Sequence, residues 1–236
     1  MKLIKKLLKV LGGLIILGLI TFGILYAIYN KPLPEGKTGP EADVLAQKML
    51  KAINYEAYQD TRFLEWSFAG GTHNYKWDKV RGRVEVKWDD YTVDLNLYDI
   101  SKSLVTKEKS TLTAKESRDI WHTAWDYFNN DSFWLVAPFK VFDAGTERGI
   151  VKLDDGSDGL LVTYSSGGST PGDHYLWKLN SSGFPESFRM WVQIIPIGGI
   201  KATWDDWQVM ESGTFLSTSH QLGPMTLDMG KVKAYN

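Results

Sequence analysis

The chain has 236 residues and carries 27 Lys plus Arg against 28 Asp plus Glu, so nothing in its bulk electrostatics argues for nucleic acid or a polyanionic partner. It has no cysteine, which excludes a disulfide framework, a zinc–thiolate site, a thiol nucleophile and a lipid-acceptor cysteine after a signal sequence. Ten Trp, 11 Tyr and 10 Phe make it rich in the side chains that favour pleated, half-buried surfaces and amphipathic cavities.

In chain order, Lys2, Lys5, Lys6 and Lys9 give residues 1–9 a basic character, and an uncharged run from Val10 to Tyr29 follows. At about 1.5 Å per residue, residues 10–29 are long enough to cross a hydrocarbon core about 30 Å thick. A cleavable signal peptide has an apolar region of about 7–15 residues and a small-residue exit. Here the exit is Tyr26-Ala27-Ile28-Tyr29-Asn30-Lys31, bulky where small residues are needed. The run therefore reads as a transmembrane signal anchor. The four lysines before it outnumber Lys31 and Lys37 after it, which places the N-terminus in the cytoplasm and the rest of the chain outside.

Residues 30–40 contain Pro32, Pro34, Gly36, Gly39 and Pro40. Such a stretch cannot hold a helix and reads as a linker that lifts the following domain off the bilayer. Residues 41–236 are then expected to form a single extracytoplasmic domain. Glu41 and Asp43 in a first turn, with Val44, Leu45, Met49, Leu50 and Ile53 at helical spacing, predict a helix over 41–54. Thr113 and Glu116 form a capping-box pattern ahead of Ile120, Trp121, Ala124, Trp125 and Phe128, which predicts a second helix. The aromatic stripe on that helix is the ordinary signature of a core-facing surface.

Nearly everything else alternates with period two, as in Leu64, Trp66 and Phe68, then Val84, Val86 and Trp88, then Tyr175, Trp177 and Leu179. Turn signals at Gly70-Gly71, Asp154–Gly159 and Asn180–Gly183 separate these runs and pair neighbouring strands antiparallel. About ten strands with only two helices to cover them predict a mainly β domain. Its form is expected to be a curved antiparallel sheet, or unclosed β-barrel, around an aromatic-lined interior.

No constellation for catalysis or metal binding stands out. His73, His122, His174 and His220 are widely separated, with no ligand-spaced partner. Gly167-Gly168-Ser169-Thr170-Pro171-Gly172-Asp173-His174 lacks the spacing of a nucleophile elbow and reads as a loop. In Asp154–Gly159, Gly156 stands where a calcium-loop ligand belongs, so a β-turn is the better reading. Asp89-Asp90 and Asp205-Asp206 each sit beside aromatics, as in glycoside chemistry, but neighbouring strand residues point to opposite faces. The expectation is a protein that is not an enzyme and uses no cofactor or metal.

The C-terminal half, Tyr175–Leu179, the turn Asn180–Pro185, Glu186–Trp191, Ala202–Trp207 and Gly213–Thr218, resembles the outer-membrane lipoprotein carrier superfamily, the LolA-like proteins. The likeness lies in a strand ending at a Gly-containing turn with Phe184-Pro185, a following strand with a basic residue, and an aromatic-acidic strand. It implies an unclosed β-barrel with helices over a hydrophobic cavity, and a Gram-negative envelope with the anchor in the inner membrane and the domain in the periplasm. The chain departs from the family in having neither a cleaved signal nor a lipidated cysteine, so a tethered binder fits better than a periplasmic shuttle.

Three functions are therefore carried forward. The first is a membrane-tethered binding protein for a lipid or other hydrophobic ligand, with Trp66, Phe68, Trp77, Trp88, Trp177 and Met190 as cavity-lining candidates. The second is a non-catalytic scaffold that binds an envelope protein partner, its aromatics filling the barrel. The third is a hydrolase using Asp173 and His174 or the Asp-Asp pairs.

Overall fold

The basic tail and the uncharged run form one continuous helix, α1 (Lys2–Tyr29), in a computed structural model that describes residues 2–108, 110–166 and 170–236. The stretch Ile4–Tyr29 is long and apolar enough to cross a membrane, and its most apolar part is not buried against the rest of the protein.

The Pro/Gly segment that follows holds no helix before Pro40, where the next helix begins, but it is a docked strap rather than a free spacer. The Lys31 N–H donates to the Gly198 carbonyl at 3.0 Å, the Gly198 N–H to Asn30 Oδ1 at 2.8 Å, and the Trp191 indole N–H to the Lys31 carbonyl at 2.8 Å. The strap ends in a short strand, β1 (Lys37–Thr38). Helix α2 (Pro40–Ala52) follows, with Pro40 in its first turn, Glu41 and Asp43 complementing the N-terminal dipole, and Ala42, Ala46, Met49 and Leu50 buried. It stops short of the expected residue 54, because Asn54 adopts left-handed backbone at φ 55°. The chain then re-enters a short helix, α3 (Tyr55–Asp60).

Next come β2 (Phe63–Phe68), β3 (His73–Asp78), β4 (Arg83–Trp88), β5 (Tyr91–Asn96) and β6 (Leu104–Lys107), each paired antiparallel with the one before. The capping box forms as the sequence predicts: Thr113 Oγ1 accepts from the Glu116 N–H and the Glu116 carboxylate accepts from the Thr113 N–H. It starts α4 (Ala114–Val136). The remaining strands are β7 (Thr146–Lys152), β8 (Asp158–Tyr164), β9 (Asp173–Leu179), β10 (Pro185–Trp191), β11 (Ile200–Thr203), β12 (Asp205–Val209), β13 (Phe215–Leu222), β14 (Met225–Asp228) and β15 (Lys233–Tyr235).

The fold is mainly β, antiparallel and not closed into a barrel. The strands, fifteen among the described residues, divide into two sheets. One has the order β15-β2-β3-β4-β5-β6; the other has β1-β7-β8-β9-β10-β11-β13-β12, with β14 also on β13. Met229 joins them. Its N–H donates to the Thr218 carbonyl and its carbonyl accepts from the Ser67 N–H, both at 3.0 Å. Helix α4 packs against β5, β6 and β13, and α2 packs against β7 and β8. Two helices thus pack on the sheets, as the sequence predicts, with the short α3 packed against α2.

The outer face of the larger sheet is covered in part. Leu160 and Val162 of β8 and Tyr175 and Trp177 of β9 belong to the main core, whereas the intervening Leu161 and Leu176 are buried outside that cluster. The strap accounts for this: a side chain on Gly36 would lie 3.0 Å from Leu161 and 3.2 Å from the Gly149 backbone. Glycine at both positions lets strap and β7 approach main chain to main chain.

Candidate functional site

The six sequence-predicted cavity residues come together in the interior, in one continuous hydrophobic cluster. Trp66 stacks on Tyr75 at 4.6 Å, Trp77 meets Phe128 of α4 edge-on at 5.2 Å, and Trp88 meets Tyr127 edge-on at 5.5 Å. Trp177 is fully buried against Phe188 at 5.0 Å and Trp204 at 5.1 Å. Phe68 and Met190 are also buried, and Trp77 is partly buried against the same cluster. None of the six lines either of the two clefts described below.

The interior also holds a polar cluster that the sequence reading did not assemble. Asp131, buried on α4, accepts from the Tyr75 hydroxyl at 2.5 Å, pairs with His73 Nδ1 at 2.6 Å, and accepts from Asn130 Nδ2 at 2.8 Å. His73 stacks on Tyr127 at 4.0 Å. Burial, and then the Asp131 charge, push the Tyr75 phenol well above its ordinary pKa. The cluster ties α4 to β3.

The hydrolase candidates are not brought together. Asp173 and His174 are neighbours on β9 with separate partners: Asp173 accepts from Thr170 Oγ1 at 2.6 Å and from the Gln193 N–H at 2.9 Å, while His174 Nδ1 meets Thr163 Oγ1 at 2.8 Å. Gly167, Gly168 and Ser169 of the same loop lie outside the described residues. Asp89-Asp90 form the turn between β4 and β5 of the smaller sheet, whereas Asp205-Asp206 begin β12 of the larger one, and Asp89 and Asp206 both have left-handed backbone. Among the described residues no group of three or more His, Asp or Glu side chains is placed to hold a metal ion.

A cleft with room for a small molecule lies on the outer face of the larger sheet, under the strap. It is a cleft of about 450 Å³ between Lys31–Pro34 and strands β7, β9, β10 and β11. Pro32, Pro34, Leu153, Leu176 and Trp191 make it partly apolar. Lys31, Lys152, Lys178, Arg189 and Lys201 also line it, against only Asp154 and Asp155. Two of these cations are neutralised locally, Lys178 by Asp155 at 2.7 Å and Lys152 by Asp158 at 2.6 Å. The Lys178 ammonium, with help from Ser157, holds the Asp155 carboxyl well below the usual carboxylate range.

Lys31, Arg189 and Lys201 form no ion pair with a carboxylate among the described residues. Arg189 and Lys201 stand directly opposite each other on β10 and β11, and like charges in that position repel. Arg189 Nη1 donates to the Gly199 carbonyl at 2.9 Å. A second cleft, of about 410 Å³, lies between α2 and β7, with Val44, Leu45 and Ile150 in its lining.

The sequence reading missed the first cleft because its roof is a segment read as a spacer. The legible signal was the run Leu160-Leu161-Val162, apolar on both faces of a strand, which implies cover on both sides of the sheet. No family model matches the chain, and no curated protein matches it.

Proposed function

We propose that the chain is a membrane-tethered extracytoplasmic binding protein for a lipid or another amphiphilic ligand, and that the ligand lies in the strap cleft rather than in the barrel interior. In this reading α1 is an uncleaved signal anchor in the inner membrane, with its lysines on the cytoplasmic side, and residues 41–236 are periplasmic. The observation that carries it is a partly apolar, partly cationic cleft whose roof is formed by Lys31, Pro32 and Pro34, just after α1 ends at Tyr29. Its volume falls within the roughly 300–1,000 Å³ of ligand pockets. The loop after β10 supports the same orientation, because Gly198 is bonded to Asn30 and Lys31 while Ile194 nearby in the chain is exposed. The LolA-like resemblance of residues 175–218 adds support for a lipid ligand.

The test is native mass spectrometry of the full chain in mild detergent, purified from bacterial membranes, beside Ser187→Trp. Ser187 is a buried residue of the cleft lining, and a large side chain there fills the cleft. One lipid that survives detergent exchange and is lost in Ser187→Trp is the expected result. No retained lipid, or lipid retained equally by both proteins, removes the reading.

A second reading, a non-catalytic scaffold for an envelope protein partner, draws on the packed interior around Trp66, Trp88 and Trp177. Under it the full chain is purified without a tightly held lipid.

A further inference from the structure

Resting on the reading of the chain as a tethered lipid binder, we propose that the cleft selects membrane lipids with a net-negative phosphate head group, held by Lys31, Arg189 and Lys201. These are the three cleft cations without a carboxylate partner among the described residues. Arg189 and Lys201 are directly opposed across the β10–β11 ladder. Two like charges in that register repel, and an anion shared between them turns the repulsion into attraction. The Gly199 carbonyl takes one N–H of the Arg189 guanidinium and so orients the rest of its planar donor fork, which matches the oxygens of a phosphate.

Lys31 is brought to this corner by the strap's hydrogen bonds to Gly198 and Trp191. Gly198 and Gly199 make the approach possible: a side chain at Gly198 would stand 2.4 Å from the Trp191 ring, and one at Gly199, where φ is 74°, would stand 2.7 Å from Lys31 Cβ. The cations thus gather where the chain leaves α1, the depth at which lipid phosphates lie if α1 spans the bilayer. Trp191, an amphipathic ring suited to that interface, stands beside them. Leu176, Leu153 and Pro34 continue the same cleft with apolar surface for the glycerol and the first acyl carbons.

The experiment uses the full chain in detergent doped separately with phosphatidylglycerol, phosphatidylcholine or diacylglycerol at equal mole fraction, read by native mass spectrometry. It is repeated with Lys201→Gln and with Arg189→Gln/Lys201→Gln; Lys201 is exposed, so the single variant guards against a folding defect. Phosphatidylglycerol is expected to be retained roughly tenfold or more over the other two, with a smaller preference in the single variant and almost none in the double. Equal retention of all three lipids by the native chain overturns the head-group inference and leaves the lipid-binding reading standing. Retention of none overturns both. Displacement of phosphatidylglycerol by soluble glycerol phosphate at millimolar concentration overturns the membrane as the source and assigns the site to a free organic phosphate.

Discussion

His220 lies in β13 with no exposure to water, its Nδ1 donating to the Thr203 carbonyl at 3.0 Å and its ring against Trp204 at 4.5 Å and Trp134 at 5.4 Å. Burial pushes its pKa down from 6.5 to about 4, against smaller opposing effects of the Thr203 and Trp134 backbone and of Asp205. The imidazole is therefore neutral in the fold and takes up a proton more readily when unfolded. Its contribution to stability is complete above about pH 6.5 and is lost as the pH falls to about 4, a change of about 3 kcal/mol. Urea unfolding of the detergent-solubilised full chain across that interval should show the loss, and His220→Leu should flatten it by a comparable amount. Identical pH profiles for the two proteins would mean that His220 titrates normally. The histidines also show what a one-dimensional reading misses. His73 looked isolated because its partner Asp131 lies 58 residues away and meets it only when α4 packs on β3. The available signal was Asp131 itself, an acidic residue within the buried set of Phe128, Ser132 and Leu135 on α4.

At the scale of elements, the strap sets the character of the site. Composition establishes that residues 31–39 are not helical, but docking depends on what the opposite surface offers, and that is decided by strands more than a hundred residues away. The apolar runs of β8 and β9 carried this information in Leu161 and Leu176, which an alternating, one-faced strand would leave exposed. The same limit applies to α2: its apolar stripe is legible, but its end at Ala52 follows from the left-handed turn at Asn54, which periodicity does not encode. The close approach of Gly36 and Gly149 gives a direct handle on the strap. Gly149 has no positive φ, and a Cβ placed on it would lie 2.9 Å from Gly36 Cα. Gly149→Val therefore suits strand geometry while driving its Cβ into the strap backbone at Gly36. Trypsin should then cut after Lys37 markedly faster than in the native chain, while the core strands stay protected. An unchanged rate of cutting there would show that the strap is not held against β7.

At the scale of the whole molecule, strand alternation was enough to indicate an antiparallel, unclosed architecture. The division into two sheets was not legible, because it depends on β15 returning to β2 and on Met229 bridging to Thr218 and Ser67, pairings between opposite ends of the chain. The consequence is an interior occupied by its own aromatics, with room for a ligand on the outer face instead. Interior and cleft then respond differently to the same kind of substitution. Trp177 has no exposure and packs among Phe188 and Trp204, so Trp177→Ala should cost about 3–5 kcal/mol, the range for large-to-small changes at packed aromatic sites. Trp191 is half-buried at the cleft and makes one hydrogen bond to the Lys31 carbonyl, so Trp191→Ala should cost only about 1 kcal/mol. Lipid retention should follow the reverse order, reduced in Trp191→Ala and preserved in whatever fraction of Trp177→Ala remains folded. Denaturant unfolding and native mass spectrometry on the same preparations read both quantities. If Trp177→Ala were nearly neutral in stability but lost the lipid, the ligand would belong inside the half-barrel and the strap would be a structural cover alone.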